Sequence, residues 1–424
     1  MNRRPLVGLL VAETISNLGS RMTMVALPWL VLVTTGSAAR TGLVAAVEIL
    51  PYVLASALGA PVTDRVGGRR VSVVADAASV VVVGAVPLLA ATGDLGFGAL
   101  LALVLVAGGL RGFGDAAKRG AMFPQSVAAS GMEMTRAVSL HDGLSRAAGL
   151  LAAPLAGAIV VAFGGTTSAR GALAVLLVDA VSFGVCALLV AFLVRTRPVE
   201  SQAREPYGAA LRAGLAFVRS DRLILGLLLM VSFTNLLDHA TGAVLVPLWA
   251  RDVFGSPLGI GLVSAAFAAG AVLGNIVFTY LAPRLPRWAP YTLGFLVCGA
   301  PRYVVLAFDG GAWSVGAVSF VGGLGAAALN PILGAVFYER IPERLMARVQ
   351  GLSTAVAFAG MPLGALLGGW LGEYGARVAL LVVGAMYLAA TLAPLFGRFW
   401  REMDVRPAPR VPVPREPAPV EALV

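Results

Sequence analysis

The sequence predicts an all-α polytopic membrane protein with twelve transmembrane helices in two parallel six-helix repeats. Three observations carry that prediction. Hydrophobic residues make up 58% of the 424-residue chain and charged residues only 13%, whereas a water-soluble domain carries about 25% charge. Apolar stretches recur at the length a bilayer demands, ~20 residues per helix. The second half of the chain repeats the pattern of the first.

The spans fall at 6–32, 41–62, 71–91, 97–113, 140–163, 172–194, 223–249, 259–281, 288–308, 313–337, 351–371 and 376–396. They are too long, and too free of alternation, to be barrel strands of ~9–11 residues. Backbone groups in lipid must bond within the segment, which leaves helices. The first span reads as a retained helix, because its apolar run is too long for a cleaved leader and no small-residue cleavage site follows. Cys186 and Cys298 each fall inside a span, so they read as small packing residues and not as a disulfide or metal framework.

The net charge of +10 is distributed in a way that excludes a nucleic-acid face. With the N-terminus in the cytoplasm, the cytoplasmic segments hold 25 of the 32 Lys and Arg residues, Lys118 among them, and the outer loops hold Arg40, Arg170, Arg251 and Arg377. That alternation is the positive-inside rule, and it places both termini in the cytoplasm. A nucleic-acid surface would not skip every second loop.

The repeat is visible residue by residue. A shift of 219 lays Pro28 on Pro247, Gly36 and Ser37 on Gly255 and Ser256, and Arg65 on Arg284, while a shift of 208 lays Pro154 on Pro362. Six spans per half is an even number, so the halves share one orientation, and a substrate site is expected between them near the midplane. The organisation is therefore a bundle over 1–194, a connector over 195–222, a second bundle over 223–396, and a Pro-rich tail over 397–424. Apolar spacing at Leu211, Leu215, Phe217 and Val218 predicts an amphipathic helix in the connector. The Pro-rich run that begins at Arg406 is expected to be extended or disordered.

The loop after the second span reads Asp64-Arg65-Val66-Gly67-Gly68-Arg69-Arg70, preceded by Gly59. It resembles the loop signature of the major facilitator superfamily, with Ala60 where the usual spacing puts glycine. Ala26-Leu27-Pro28-Trp29, Phe123-Pro124, Val178-Asp179-Ala180 and Ile341-Pro342-Glu343-Arg344 are similar to the macrolide-efflux and enterobactin-exporter branch. Gly149, Pro154 and Gly157 in the fifth span, and Gly360, Pro362 and Gly364 in the eleventh, resemble the Gly-Pro motif linked to exporters. Small residues also let helices approach closely whatever the function. The resemblance covers about residues 5–397.

That resemblance implies a secondary transporter whose helices 1, 4, 7 and 10 line a central cavity. Ionisable groups there cost ~2.5–3.5 kcal/mol each on insertion scales, so each needs a partner or water. Glu13, Asn17 and Arg21 share one face of the first helix at spacing i, i+4, i+8. Arg111 on the fourth, Asn235, Asp238 and His239 on the seventh, and Asn330 on the tenth complete the cavity candidates. Glu48 has no sequence-local partner and is a candidate proton carrier with Glu13. Asp76, Arg146, Asp179 and Arg302 read as inter-helix tethers. Asp64, Arg65, Arg69 and Arg70 read as a gating loop that latches one conformation, or as a solvated cluster that sets topology.

No phosphate-binding loop and no Cys/His cluster occur in the sequence, so neither an enzyme nor an ATP-driven pump is expected. The expectation is a monomer in a bacterial cell membrane, without cofactor or metal, that exports amphipathic small molecules in exchange for protons. A nutrient importer of the same fold and a non-transporting receptor or assembly factor are the rival readings.

Overall fold

A computed structural model describes residues 3–165, 168–194, 207–308 and 310–405. Among them every regular element is helical. The N-terminal bundle comprises α1 (Arg4–Thr35), α2 (Ala38–Val66), α3 (Gly68–Thr92), α4 (Phe97–Ala117), α5 (Phe123–Ser130), α6 (Met134–Gly164) and α7 (Ala169–Leu193). The amphipathic helix α8 (Tyr207–Ser220) follows. The C-terminal bundle runs through α9 (Arg222–Ala240), α10 (Val246–Asp252), α11 (Leu258–Leu281), α12 (Trp288–Cys298), α13 (Ala300–Ala307), α14 (Gly311–Ala326), α15 (Leu329–Arg340), α16 (Glu343–Ala359), α17 (Met361–Gly372) and α18 (Ala376–Thr391).

Eleven helices or joined helices among the described residues are long and apolar enough to cross a membrane. The remaining predicted crossing, 288–308, is α12 and α13 broken at Gly299. Pro301 lies just beyond that break and can donate no hydrogen bond into the first helix. The chain is a multi-pass membrane protein.

Two spans carry a π-turn, at Lys118–Met122 between α4 and α5 and at Thr241–Leu245 between α9 and α10. Each precedes a proline, Pro124 or Pro247. A proline ring displaces the carbonyl four residues back, and a wider turn accommodates it. The first π-turn corrects the fourth span, expected to end near 113 but continuous to Ser130. Lys118 is therefore not a loop cation, and the cationic stretch 111–119 lies inside the helix.

The halves meet on the face opposite the N-terminus. Gly42 of α2 lies against Ala365 and Gly369 of α17, where a side chain would not fit. Gly261 of α11 lies against Pro154 of α6, and Gly157 of α6 against Pro257 and Leu258. Small residues thus close one end of the seam between the bundles. The first residues after the last crossing, Arg398–Asp404, form a 3₁₀ helix packed on the C-terminal bundle. There Asp404 accepts from the Trp288 amide at 2.8 Å, so the tail caps α12. Residues 195–206 and 406–424, with the Pro-rich run, lie outside the described residues.

Candidate functional site

The first helix places its polar residues on one face, as its spacing requires. Arg21 Nε donates to Asn17 Oδ1 at 3.0 Å, and the Arg21 guanidinium lies over Gly149 of α6. Arg21 is exposed although it sits near the middle of a 32-residue span, a depth at which an arginine head group needs a partner or a water-filled cavity. Glu13 does not pair with Arg21. Its Oε2 lies 3.0 Å from Nε2 of His141 on α6.

His141 is the functional candidate that sequence reasoning missed. The fifth span was expected to begin at 140, which left His141 at its edge, but α6 begins at Met134 and carries His141 two turns in. Helical phase was the available signal: His141, Ser145 and Gly149 recur at i, i+4, i+8. Together with Glu13, Ser16, Asn17, Arg111 and Asp115, His141 lines a small polar cavity of about 30 Å³ in the N-terminal bundle, room for a water or two.

Arg111 faces that cavity from α4. Its Nη1 lies 3.9 Å from Glu48 Oε1, and its guanidinium sits 5.4 Å from the Tyr52 ring centroid. Glu48, without a partner in sequence, therefore has one across the α2–α4 contact. Arg119 is 3.9 Å from Asp115 one turn earlier, and Tyr52 donates to Asp115 at 3.2 Å.

One residue of the cavity wall, Lys118, belongs to a buried pair. Lys118 Nζ donates to Asp76 Oδ1 at 2.8 Å, with side chains only 3% and 4% exposed. Cys186 Sγ and Ser72 Oγ both donate to Asp76 Oδ2, each at 3.3 Å. Cys186 is thus more than an apolar filler: it satisfies a buried carboxylate. Asp179 accepts from Thr23 at 2.7 Å and from Ser20 at 3.4 Å, joining α7 to α1.

The C-terminal bundle divides its predicted trio. Asn235 Nδ2 donates to the Ala357 carbonyl of α16 at 3.1 Å. Asp238 accepts from Arg302 at 3.0 Å, its side chain 43% exposed and that of Arg302 13%. The break at Gly299 delivers Arg302 there, and Thr241 and Tyr303 bond beside it at 3.1 Å. His239 is half-buried, and its Nε2 has no hydrogen-bond partner among the described residues. Asn330 is exposed at the start of α15.

Among the described gating-loop side chains, Arg65, Arg69 and Arg70, none bridges the bundles. Arg69 donates to the Ala191 carbonyl of α7 within its own half. Arg65 and Arg70 are exposed, and the side chain of Asp64 lies outside the described residues. The Gly-Pro motif glycines are packing points: Gly360 and Gly364 both lie against Leu236 of α9. Among the described residues no group of His, Cys, Asp or Glu could hold a metal ion.

Contacts across the closed end are polar as well as close. Ser37, the N-cap of α2, donates to Glu373 at 2.6 Å, and the Ala39 amide donates to the same oxygen at 2.7 Å. Those two bonds, the hydroxyl first, hold the Glu373 carboxyl below its ordinary value. Arg251 donates to the Leu32 and Gly36 carbonyls at the end of α1, at 3.2 and 3.3 Å. Two residues of the C-terminal half, Glu373 and Arg251, therefore cap the facing ends of α2 and α1 in the N-terminal half.

Known proteins place this architecture. The chain is 29% identical over 416 residues to the multidrug efflux pump Tap of Mycobacterium tuberculosis, covering 96% of both chains. It is 27% identical to the Tap of Mycolicibacterium fortuitum, covering 96% of this chain and 99% of that one. Its fold matches the nucleoside transporter NupG at TM-score 0.70 and 14% identity, over 93% of this chain and 98% of that one. It also matches an inward-facing bacterial homologue of the iron transporter ferroportin at TM-score 0.70 and 18% identity, over 95% and 99%. The family model of the Major Facilitator Superfamily matches residues 9–255 and again 228–423, and with that the chain belongs to the Major Facilitator Superfamily.

Proposed function

We propose that this chain is a proton-coupled exporter of amphipathic small molecules, working by alternating access in a bacterial cell membrane with both termini cytoplasmic. The observation that carries the proposal is the Glu13–His141 pair, 3.0 Å apart beside a polar cavity in a chain whose relatives are multidrug efflux pumps.

The pair suits proton exchange because a carboxyl and an imidazole 3.0 Å apart can pass a proton between them. When both hold a proton, the imidazolium faces a neutral acid. When they share one, an imidazolium faces a carboxylate. Release of the last proton leaves an anion in a cavity lined by Arg111 and Arg119, which would hold it until the far side supplies a proton. The two guanidiniums keep the site polar. Direction follows from the relatives and from the Gly-Pro motifs, and the positive-inside distribution orients the chain.

The test uses everted membrane vesicles with a fluorescent cationic dye. An imposed inward-acid gradient should drive dye accumulation by wild type. Glu13→Gln keeps size and hydrogen bonding but removes the proton, so gradient-driven accumulation should fall to background while dye binding remains. Gradient-driven accumulation by Glu13→Gln at the wild-type rate would overturn the assignment.

A further inference from the structure

The two bundles differ where their repeat predicts likeness. In the N-terminal bundle α1 and α7 close on each other: Gly8 lies against Leu193, and Gly19 lies against Ser182 and Asp179. In the C-terminal bundle the equivalent helices are α9 and α18. They are held at the base, where Gly226 lies against the Phe399 and Trp400 rings of the 3₁₀ helix. Above that contact they part, leaving a groove of about 530 Å³.

The groove is apolar. Leu229 and Phe233 line it from α9, Met386 and Ala389 from α18, and Trp400 floors it. Leu229 is 58% and Phe233 37% exposed. The lining residues of α9 span 226–233, which at ~1.5 Å per residue keeps the groove within one leaflet of a ~30 Å hydrocarbon core. A methylene occupies nearly the ~30 Å³ of a liquid water. The space therefore accommodates roughly one acyl chain.

Among the described residues, the charges at the base of the groove that lack a polar partner are cationic. Asp221 and Glu402, the acidic groups nearest the groove's base, are both taken by Arg340, at 2.9 and 3.0 Å. Asp404 is engaged by the Trp288 amide. Arg222, one turn before Gly226 on the same face, and Arg398, next to Phe399, are exposed. Neither pairs with a carboxylate among the described residues.

We propose that the groove between α9 and α18 binds one anionic phospholipid of the leaflet at the N-terminal ends of α1 and α9. Its acyl chain lies over Leu229 and Phe233, and its phosphate lies over Arg222 and Arg398. The lipid completes the helix pair that α1 and α7 complete by direct contact. This goes beyond the transport reading and does not depend on direction or coupling.

The experiment places the full chain in phosphatidylcholine vesicles with a trace of acyl-diazirine phosphatidylglycerol, or of the phosphatidylcholine analogue. Crosslinked peptides are read by mass spectrometry. An arginine near the surface is worth about 1 kcal/mol toward an anionic lipid. Wild type should therefore show labelling concentrated on α9 and α18, with phosphatidylglycerol favoured about fivefold or more. Arg222→Gln with Arg398→Gln should remove the preference. Ala389→Trp, which fills the groove, should cut labelling there about tenfold while labelling of α3 persists. Equal labelling by the two lipids in wild type, or label spread evenly over α3 and α18, would overturn the proposal without any variant. So would displacement of the label by a transported dye, which would make this a substrate groove.

Discussion

Ser37 and Glu373 join the two bundles by a 2.6 Å hydrogen bond at the end of the molecule opposite the N-terminus. The same carboxylate oxygen receives the Ala39 amide, so one acidic side chain of the C-terminal half caps the second helix of the N-terminal half. A contact of this kind exists only while the halves are closed there. It biases the conformational equilibrium by what it contributes to that state and nothing to the other.

Glu373 lies at the surface, so its contribution is screened and modest, about 0.5–1 kcal/mol. Glu373→Ala should lower the closed population about two- to fivefold, read as a longer spin-label distance between residues 40 and 374. The carboxyl is held below its ordinary value of 4.5. A lowered acid stabilises the closed contact above that value and loses the stabilisation as pH falls through the lowered one. The distance distribution should be flat from pH 8 to 5 and lengthen only at more acidic pH. Glu373→Ala should flatten the acidic end.

The buried pair predicts a different pattern. Asp76 and Lys118 are almost wholly enclosed and 2.8 Å apart. Removing one partner from such a pair costs about 3–5 kcal/mol, while replacing both by apolar residues is often neutral. Lys118→Met should lower yield and thermal stability in detergent sharply. Asp76→Leu combined with Lys118→Met should recover most of both. If the double variant is no better than the single, the pair has a role beyond its own charge balance.

Much of this architecture was legible in the sequence because bilayer length and charge alternation are coarse constraints. Twelve spans, the duplicated halves and the loop signature need no side-chain geometry. The pairings were not legible, because they join residues far apart in sequence through helix phase. Glu13 and Arg21 share a face, yet Glu13 meets His141 on another helix, and Arg21 turns to Asn17. Lys118 reads as a loop cation until the π-turn before Pro124 carries the helix past it. Asp238 and Arg302 meet because a glycine and a proline break the ninth crossing at one level. For Lys118 and Arg302 the missing information was a local departure from regular helix, which propensity does not locate.

Topology can be tested against a quiet background. Cys186 and Cys298 are both buried, so a membrane-impermeant maleimide should leave the unmodified chain unlabelled in intact cells. Single cysteines at Gly93, Ser256 and Tyr374 should label from outside, and cysteines at Arg70 and Arg284 only after permeabilisation. The reverse pattern would invert the orientation read from the arginines.

The last prediction concerns how Glu13 and His141 act together. Two groups 3.0 Å apart that act in one proton step, as proposed above, are not additive on removal. Glu13→Gln should abolish dye movement driven by a pH gradient, and His141→Gln should slow it at least tenfold. The double variant should be no worse than Glu13→Gln, because the coupling is already lost. Equilibrium dye binding should change by less than about threefold throughout, since the pair lies in a pocket with room for a water or two and not for the dye. The two roles separate in the counterflow assay, where dye exchanges for dye with no gradient and no net proton movement. If the pair carries protons, Glu13→Gln should retain counterflow while losing gradient-driven transport. Loss of counterflow along with gradient-driven transport would assign the pair to the opening motion of the bundles, and the proton would have to travel through another carboxylate such as Glu48.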